Sequence, residues 1–137
     1  MKPKYTEKQF KGILRIDTDE NNFLYVVFEP IDVTVWLRKS ELPSLFNVNT
    51  QTVNSCLTSI LKENIIDVKE ACKYDLYVCG NRIRHDVREV NLEVILAMAF
   101  RINSPQAKIL REWFIGRCLK PGLCGFPLDM EQGFSLN

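Results

Sequence analysis

The chain has 137 residues, enough for one domain with a complete hydrophobic core. Its apolar fraction of 46%, its charged fraction of 26% and its net charge of +1 are those of a globular protein, and they exclude the strongly basic chain of an unspecific nucleic-acid binder. No apolar run approaches the roughly 20 residues that cross a bilayer, and no apolar block follows the lysine-rich start, so we expect a cytoplasmic protein with no membrane partner.

The first third of the chain predicts strands. Apolar residues recur over residues 10–16, a polar turn follows, and residues 23–28 (FLYVVF) are aromatic and β-branched. Residues 33–37 (VTVWL) resume extended structure after a break at a Glu-Pro pair. These segments predict a small antiparallel sheet that precedes the helices. We expect Trp36, whose two neighbours are apolar, to face the core rather than to stack on a base.

Residues 33–61 are typical of a short strand that leads into a helix-turn-helix. Apolar spacing predicts helices over 40–46 and 51–62, which would cross at a steep angle and enclose a small core. Any two packed helices would show a similar pattern, and this simpler interpretation stays open. The residues expected to be almost inaccessible are Val48 in the turn and Val53 and Leu57 in the second helix.

The second of these helices carries a polar, uncharged face. The hydroxyls of Ser40 and Thr50 are placed where the two helices begin, and they would accept hydrogen bonds from the free amides of each first turn. Short polar side chains without charge are suited to contact base edges in the grooves of DNA. The predicted base-contacting residues are Thr50, Gln51, Asn54, Ser55 and Thr58.

A β-hairpin is predicted after a short helix over residues 65–71. Residues 74–79 (YDLYVC) would form its first strand, Gly80-Asn81 its turn, and residues 82–90 (RIRHDVREV) a basic returning strand. After a helix-turn-helix, such a hairpin would be a wing that rests on the phosphate backbone. Alternatively, its charges only keep an exposed strand from aggregating. The predicted phosphate-contacting residues are Arg82, Arg84 and Arg88, with His85 beside them, and Lys62 at the end of the second helix.

Positive charge is concentrated in the second half of the chain. Residues 76–120 contain eight Lys or Arg and four Asp or Glu, whereas residues 1–75 contain ten and eleven. Electrostatic attraction for phosphate is therefore expected in the second half of the chain.

Two apolar helices are predicted after the hairpin. Asn91 would cap a helix over residues 92–100, and Ser104 followed by proline would open a helix over residues 105–120. These helices carry more apolar side chains than one small sheet would cover, so we expect a homodimer. The predicted division of the chain is a single domain over residues 1–120 and a loosely ordered tail over residues 121–137.

The cysteines and the single histidine argue against a metal site. Five cysteines are scattered without CxxC pairs, which predicts reduced thiols rather than disulfides. A zinc site would need distant ligands, because His85 is the only histidine. The sequence also has no phosphate-binding glycine loop and no serine in a nucleophile elbow, so we expect no cofactor and no enzymatic activity.

Two stretches resemble a known bacterial family. The segment TVWLRKSELPSLFNVNTQTVNSCLTSILKENII looks like the opening of the virulence protein RhuM family, in which a strand ending in Trp-Leu enters a helix-turn-helix. The segment EVNLEVILAMAFRINSPQAKILREWFIGRCLK resembles a later part of the same family, and SPQAKILREWF is also similar to the end of the Bro-N domain of phage antirepressor-like proteins. Order and spacing agree over about residues 33–120.

The resemblance implies a DNA-binding regulatory module of a kind often carried on mobile elements. Its recognition positions fall on the five polar residues of the second helix named above. Two positions depart from the family pattern: Pro43 stands where a small residue is usual, and Asn47 stands in the turn where glycine is common. Asparagine also adopts the left-handed backbone conformation, so the second departure is mild.

The sequence thus predicts an α+β fold: a winged-helix-like helix-turn-helix with a small antiparallel sheet and two C-terminal helices. The leading hypothesis is a non-enzymatic regulator that reads double-stranded DNA, with Gln51 or Asn54 pairing with an adenine edge. The alternative is a protein-interaction module that keeps the same fold without binding DNA. The neutral face of the second helix favours the alternative, and the localised positive charge favours DNA.

Overall fold

The computed structural model describes residues 11–119, which form five α-helices and two small antiparallel sheets. This confirms the α+β class expected from the sequence. The predicted tail, residues 121–137, lies outside the described residues. The elements in chain order are β1 (Ile13–Thr18), β2 (Leu24–Glu29), β3 (Trp36–Arg38), a 3-10 turn (Lys39–Glu41), α1 (Leu42–Phe46), α2 (Thr50–Lys62), α3 (Val68–Ala71), β4 (Cys72–Cys79), β5 (Arg82–Asn91), α4 (Leu92–Ala99) and α5 (Pro105–Leu119).

The strands do not form the single N-terminal sheet that was predicted. Strands β1 and β2 pair only with each other, whereas β3 joins a second sheet with the order β3-β5-β4. The separation begins at a tight turn in which Ile31 and Thr34 exchange two backbone hydrogen bonds, and in which Asp32 and Val33 have φ angles of 53° and 64°. This turn reverses the chain, and the Thr34 hydroxyl then accepts a hydrogen bond from the amide of Leu92, which holds β3 beside β5.

The hairpin of β4 and β5 agrees with its prediction. Cys79 lies opposite Arg82, so the connection is the two-residue turn Gly80-Asn81, and Gly80 has a φ of 62° that an L-residue rarely adopts. The register shifts once, between Lys73 and Tyr74. Because β5 also pairs with β3, the hairpin is continuous with the three-stranded sheet.

Helix α4 lies at the centre of the core. Its side chains Val94, Ile95, Met98 and Ala99 are all fully buried, and the helix contacts α2, α3, α5 and β5. Asn91 caps it, since its side-chain oxygen accepts a hydrogen bond from the amide of Val94, as the sequence predicted. The helix is therefore largely buried, as its apolar sequence indicates. The other elements of the same chain cover the apolar side of α4, whereas α5 leaves Ile115 and Leu119 exposed, so the homodimer stays a prediction.

Helix α5 is capped as predicted and packs against the two-stranded sheet. The Ser104 hydroxyl accepts a hydrogen bond from the amide of Ala107. Farther along the helix, the rings of Trp113 and Phe28 meet edge to face with their centres 4.9 Å apart. The guanidinium of Arg117 lies over both rings, 5.3 Å and 5.5 Å from their centres. Strand β2 is therefore attached to the core through α5.

Helices α1 and α2 are joined by a turn of three residues. Asn47 ends α1 in the left-handed conformation, with φ 54° and ψ 51°, which agrees with its tolerance for a position usually held by glycine. Val53 and Leu57 are 1% and 3% exposed, as predicted. Val48 is only partly buried, so that prediction was wrong: its neighbours on both sides, Asn47 and Asn49, are exposed, and it contacts the core from one side.

One buried carboxylate joins the beginning of the described chain to the second sheet. The carboxylate of Glu89 lies 2.6 Å from the Lys11 ammonium and 3.6 Å from that of Lys73. Gly12, the next residue, has a φ of 74° and lies so close to the end of β2 that an added Cβ would be 2.8 Å from the carbonyl oxygen of Glu29. Burial alone would raise the pKa of Glu89, but the hydrogen bond and charge of Lys11, with the charge of Lys73, outweigh it and lower the pKa.

Trp36 does not face the core, contrary to the prediction. Its neighbours Val35 and Leu37 are buried, and because side chains alternate along a strand, Trp36 points to the opposite face of β3. There it is half-buried, and the Lys73 ammonium lies 4.4 Å from the centre of its ring.

The longest helix in the described part of the chain, α5, has 15 residues. None of the helices within residues 11–119 combines the length and the apolar character that crossing a membrane requires.

Replacing Val53 by Asp is expected to unfold the domain, because it places an unpaired carboxylate where the side chain is 1% exposed. The cost of several kcal/mol is comparable with the whole stability of a domain, roughly 5–15 kcal/mol. Thermal melts followed by circular dichroism measure the effect. The matched control is Ser55→Asp on the exposed side of the same helix, which should melt close to the unsubstituted protein. A Val53→Asp protein with an unchanged melting temperature would contradict the observed core.

Glu89→Gln is expected to lower the free energy of unfolding at pH 7 by about 1.5–3 kcal/mol, the usual contribution of a hydrogen bond to a charged group. Because the folded state lowers the pKa of Glu89, its contribution is present at neutral pH and is lost as the pH falls through that lowered pKa. The difference between the two proteins should therefore shrink in acid. Urea unfolding at a series of pH values tests this, with the exposed Glu20→Gln as control. A difference that does not depend on pH would refute the role of the charge.

Candidate nucleic-acid interface

Helix α2 presents the predicted polar face. Its apolar side, built on Val53, Leu57 and Ile60, is buried against the core, which fixes the opposite side toward solvent. This face carries no charged side chain, and its hydroxyl and amide groups can both donate and accept hydrogen bonds. Its residues, all exposed, are Thr50, Gln51, Asn54, Ser55 and Thr58, and we call them the polar face of α2.

The first turn of α2 is capped by Asn49 and not by Thr50 as predicted. The side-chain oxygen of Asn49 accepts hydrogen bonds from the amide of Thr52 at 2.8 Å and from its hydroxyl at 2.9 Å. Asparagine is among the strongest N-cap residues, and it stands one position earlier than the hydroxyl that the prediction used. Thr50 is consequently the first residue inside the helix, and its side chain belongs to the exposed face.

Ser40 does not cap the preceding helix either. The chain enters α1 through the 3-10 turn, in which the Glu41 carboxylate accepts a hydrogen bond from the amide of Arg38 at 2.9 Å. Pro43 then occupies the first turn of α1. Its missing backbone N–H loses no hydrogen bond there, because the first amides of a helix have no acceptor within the helix. The predicted helix over residues 40–46 is thus two shorter pieces.

The charged residues of the hairpin lie on one face of its two strands. Arg82 and Arg84 are two residues apart on β5, on either side of Ile83, and they lie opposite Cys79 and Tyr77 of β4. Both arginines are exposed, and neither forms an ion pair with another residue in the part of the chain that the structure describes. His85 points to the other face, because neighbouring residues of a strand alternate in direction. The structure therefore separates His85 from the arginines with which it was grouped.

Arg88 is on the same charged face but already has a partner. Its guanidinium lies 2.9 Å from a carboxylate oxygen of Asp75, with both side chains partly exposed. Asp75 also lies directly opposite Asp86, so the arginine offsets repulsion between two like charges across the strands. An exposed pair of this kind contributes roughly 0–1 kcal/mol. Arg88 can therefore exchange Asp75 for an external anion, but it offers less net positive charge than Arg82 or Arg84.

Lys62 lies in the last turn of α2 and is exposed. The adjacent Glu63 forms an ion pair with Arg101, which follows α4. The carboxylate of Glu63 is thus already neutralised by Arg101 and does not cancel the charge of Lys62. Lys62 therefore adds a positive charge to the helix whose side carries the polar face.

Both candidate surfaces are attached to the same buried helix, α4. Helix α2 packs on α4, and β5 runs directly into α4 through the cap residue Asn91. The polar face of α2 and the charged face of the hairpin are therefore fixed to the same buried helix. Within residues 11–119, the structure contains no cluster of three or more His, Cys, Asp or Glu side chains arranged to hold a metal ion.

The other face of the hairpin carries an exposed apolar surface that was not among the predicted site residues. Leu76, Val78 and Ile83 are 65%, 77% and 65% exposed, and Val78 lies directly opposite Ile83. The signal was present in the sequence, because the apolar residues of both strands recur with a period of two.

Comparisons with family models, with curated proteins and with solved structures found no match to this chain.

Asn49→Ala is expected to destabilise the protein by about 1 kcal/mol, since it removes the acceptor that caps the first turn of α2. Thr50→Ala is the matched control and should change the free energy of unfolding by only a few tenths of a kcal/mol. Chemical denaturation of both variants measures the two values. Equal losses would contradict the assignment of Asn49 as the cap.

Proposed function

We propose that the chain is a non-enzymatic, cytoplasmic regulator of the RhuM type that reads double-stranded DNA with a winged helix-turn-helix. The observation that supports this most is the pairing of β3 with β5. The strand that leads into α1 and α2 is thereby joined to the returning strand of the hairpin that follows them. In a winged helix-turn-helix the hairpin is attached to the two helices in the same way, and it reaches the DNA backbone beside the recognition helix.

In this proposal α2 is the recognition helix and lies in the major groove, which is wide enough for one α-helix. Gln51 and Asn54 are exposed on its first two turns. An amide side chain forms two hydrogen bonds with an adenine edge, one donated and one accepted, which distinguishes adenine from the other bases. The threonine and serine hydroxyls beside them would contact either bases or phosphates.

The hairpin and the end of α2 would hold the phosphate backbone. Arg82 and Arg84 are exposed and unpaired among the described residues, so binding a phosphate costs them no existing ion pair. Lys62 would add a third contact from α2. Arg88 would first have to leave Asp75, so we expect its contribution to be the smallest of the four.

A homodimer would suit this function, because two recognition helices would then reach two half-sites about one turn of DNA apart. The partners proposed for the chain are accordingly duplex DNA and a second copy of itself.

The second candidate function is a protein-interaction module on the same fold. Two observations favour it: the polar face of α2 carries no cation, and one face of the hairpin is apolar. Direct measurement of duplex binding separates the two functions.

If the chain binds duplex DNA, phosphate contacts and base contacts should respond differently to salt. Arg82→Ala and Arg84→Ala should each weaken binding to all sequences and reduce the slope of log affinity against log salt by about one. Gln51→Ala and Asn54→Ala should leave the slope nearly unchanged and cost roughly 1–3 kcal/mol of discrimination at one base pair. A phosphate contact releases a counterion, whereas an amide that pairs with a base does not.

Fluorescence anisotropy on random and selected duplexes at several salt concentrations measures both effects. Arg15→Ala is the matched control, since Arg15 pairs with Asp17 on the two-stranded sheet and should change neither quantity. Absence of binding to any duplex below about 100 μM, weaker than ordinary nonspecific contact, would replace the DNA function with the interaction module.

A further inference from the structure

The hairpin of β4 and β5 has an apolar face that continues outward from the core. At its base, Cys72 and Val90 are buried opposite each other. Farther out on the same face, Leu76 and Val78 of β4 and Ile83 of β5 are mostly exposed. The core therefore covers the inner half of this face and leaves the outer half, which we call the apolar tip, open to solvent within the described structure.

The apolar tip differs from the rest of the hairpin in charge. The hairpin has five charged side chains between Tyr74 and Glu89, and all of them lie on the face opposite the apolar tip or at the register shift. The apolar side has no Asp, Glu, Lys or Arg between Tyr74 and Val87; its polar side chains there are the phenol of Tyr74 and the imidazole of His85, which lies opposite Leu76. A solvated hairpin needs no aliphatic side chain on either face. Here Leu76 and Val78 alternate along β4 and Ile83 lies opposite Val78, so the three form one exposed apolar patch of the kind that marks an interaction site. Those charged residues are Asp75, Arg82, Arg84, Asp86 and Arg88.

We propose that the apolar tip binds the apolar tip of a second copy of this chain. A twofold interface places each surface against itself, so a charged face would repel its copy, whereas this face meets its copy without like charges. In addition, β4 is an edge strand: among the described residues it pairs only with β5, which leaves its outer backbone groups open to an antiparallel copy. Both features fit an identical partner.

The size of the surface predicts a weak dimer. Three exposed aliphatic side chains on each copy bury less than the roughly 1,200–2,000 Å² of a standard stable interface. We therefore expect a dissociation constant of about 10–100 μM for the dimer. The dimer should be more stable only where one ligand holds both copies together. In such a dimer the charged faces of the two hairpins point away from the contact, so self-association and phosphate binding do not compete.

Analytical ultracentrifugation without DNA tests the proposal over about 1–500 μM protein. Val78→Lys should raise the dissociation constant at least about tenfold, because the twofold axis brings two ammonium groups together. Ile65→Lys is the matched control: Ile65 is 82% exposed on a segment outside the hairpin, and the variant should dimerise normally. Val78→Thr, which keeps the branched shape, should give an intermediate value. Circular dichroism verifies that each variant is folded.

Three results would overturn the proposal: a monomer at every concentration, equal effects of the Val78 and Ile65 substitutions, or a Val78→Lys protein that still dimerises but loses duplex binding. The last would assign the apolar tip to DNA. Because the association is measured without DNA, a dimer formed by this surface stands even if no duplex is bound, and duplex binding by a monomer stands if the dimer fails.

Discussion

The burial of helix α4 is the interaction on which the other elements depend. Val94, Ile95 and Met98 are completely inaccessible, and each fully buried side chain of this size contributes roughly 1.5–3 kcal/mol. The end of α4 is stabilised by Arg111 of α5, whose guanidinium donates hydrogen bonds to the carbonyl of Ala99 at 2.7 Å and to that of Ile102, just after the helix, at 3.1 Å. Because α2, α5 and β5 all contact this helix, its packing determines where the polar face of α2 and the hairpin lie.

Features with a local cause could be predicted from the sequence. The caps at Asn91 and Ser104, the two-residue turn at Gly80 and the apolar side of α2 each depend on residues within about one helical turn or one strand pair. The partner of β3 could not be predicted in this way. It depends on the turn before Thr34, where a β-branched valine adopts a left-handed conformation that its side chain normally disfavours. No propensity of the sequence indicates such a turn.

The exposure of the candidate residues could be predicted on helix α2, whereas their grouping on the hairpin could not. The helical period alone placed the polar face of α2 in solvent. On the strands, grouping residues by composition failed, because His85 and Arg84 are neighbours in the chain and therefore point to opposite faces. The same alternation turns Trp36 away from the core although both of its neighbours are apolar. The pairing of Arg88 with Asp75 depends on the register between strands, which composition does not specify.

The pairing of β3 with β5 also constrains the order of folding. Arg38 lies opposite Glu89, so about fifty residues form a closed loop that contains α1, α2, α3 and β4. The entropy lost in closing such a loop grows only slowly with its length, but it must be lost before the contact between the strands contributes any stability. Local helices and the hairpin form on shorter timescales than a contact of this separation. The sheet should therefore close late, around helices and a hairpin that have already formed.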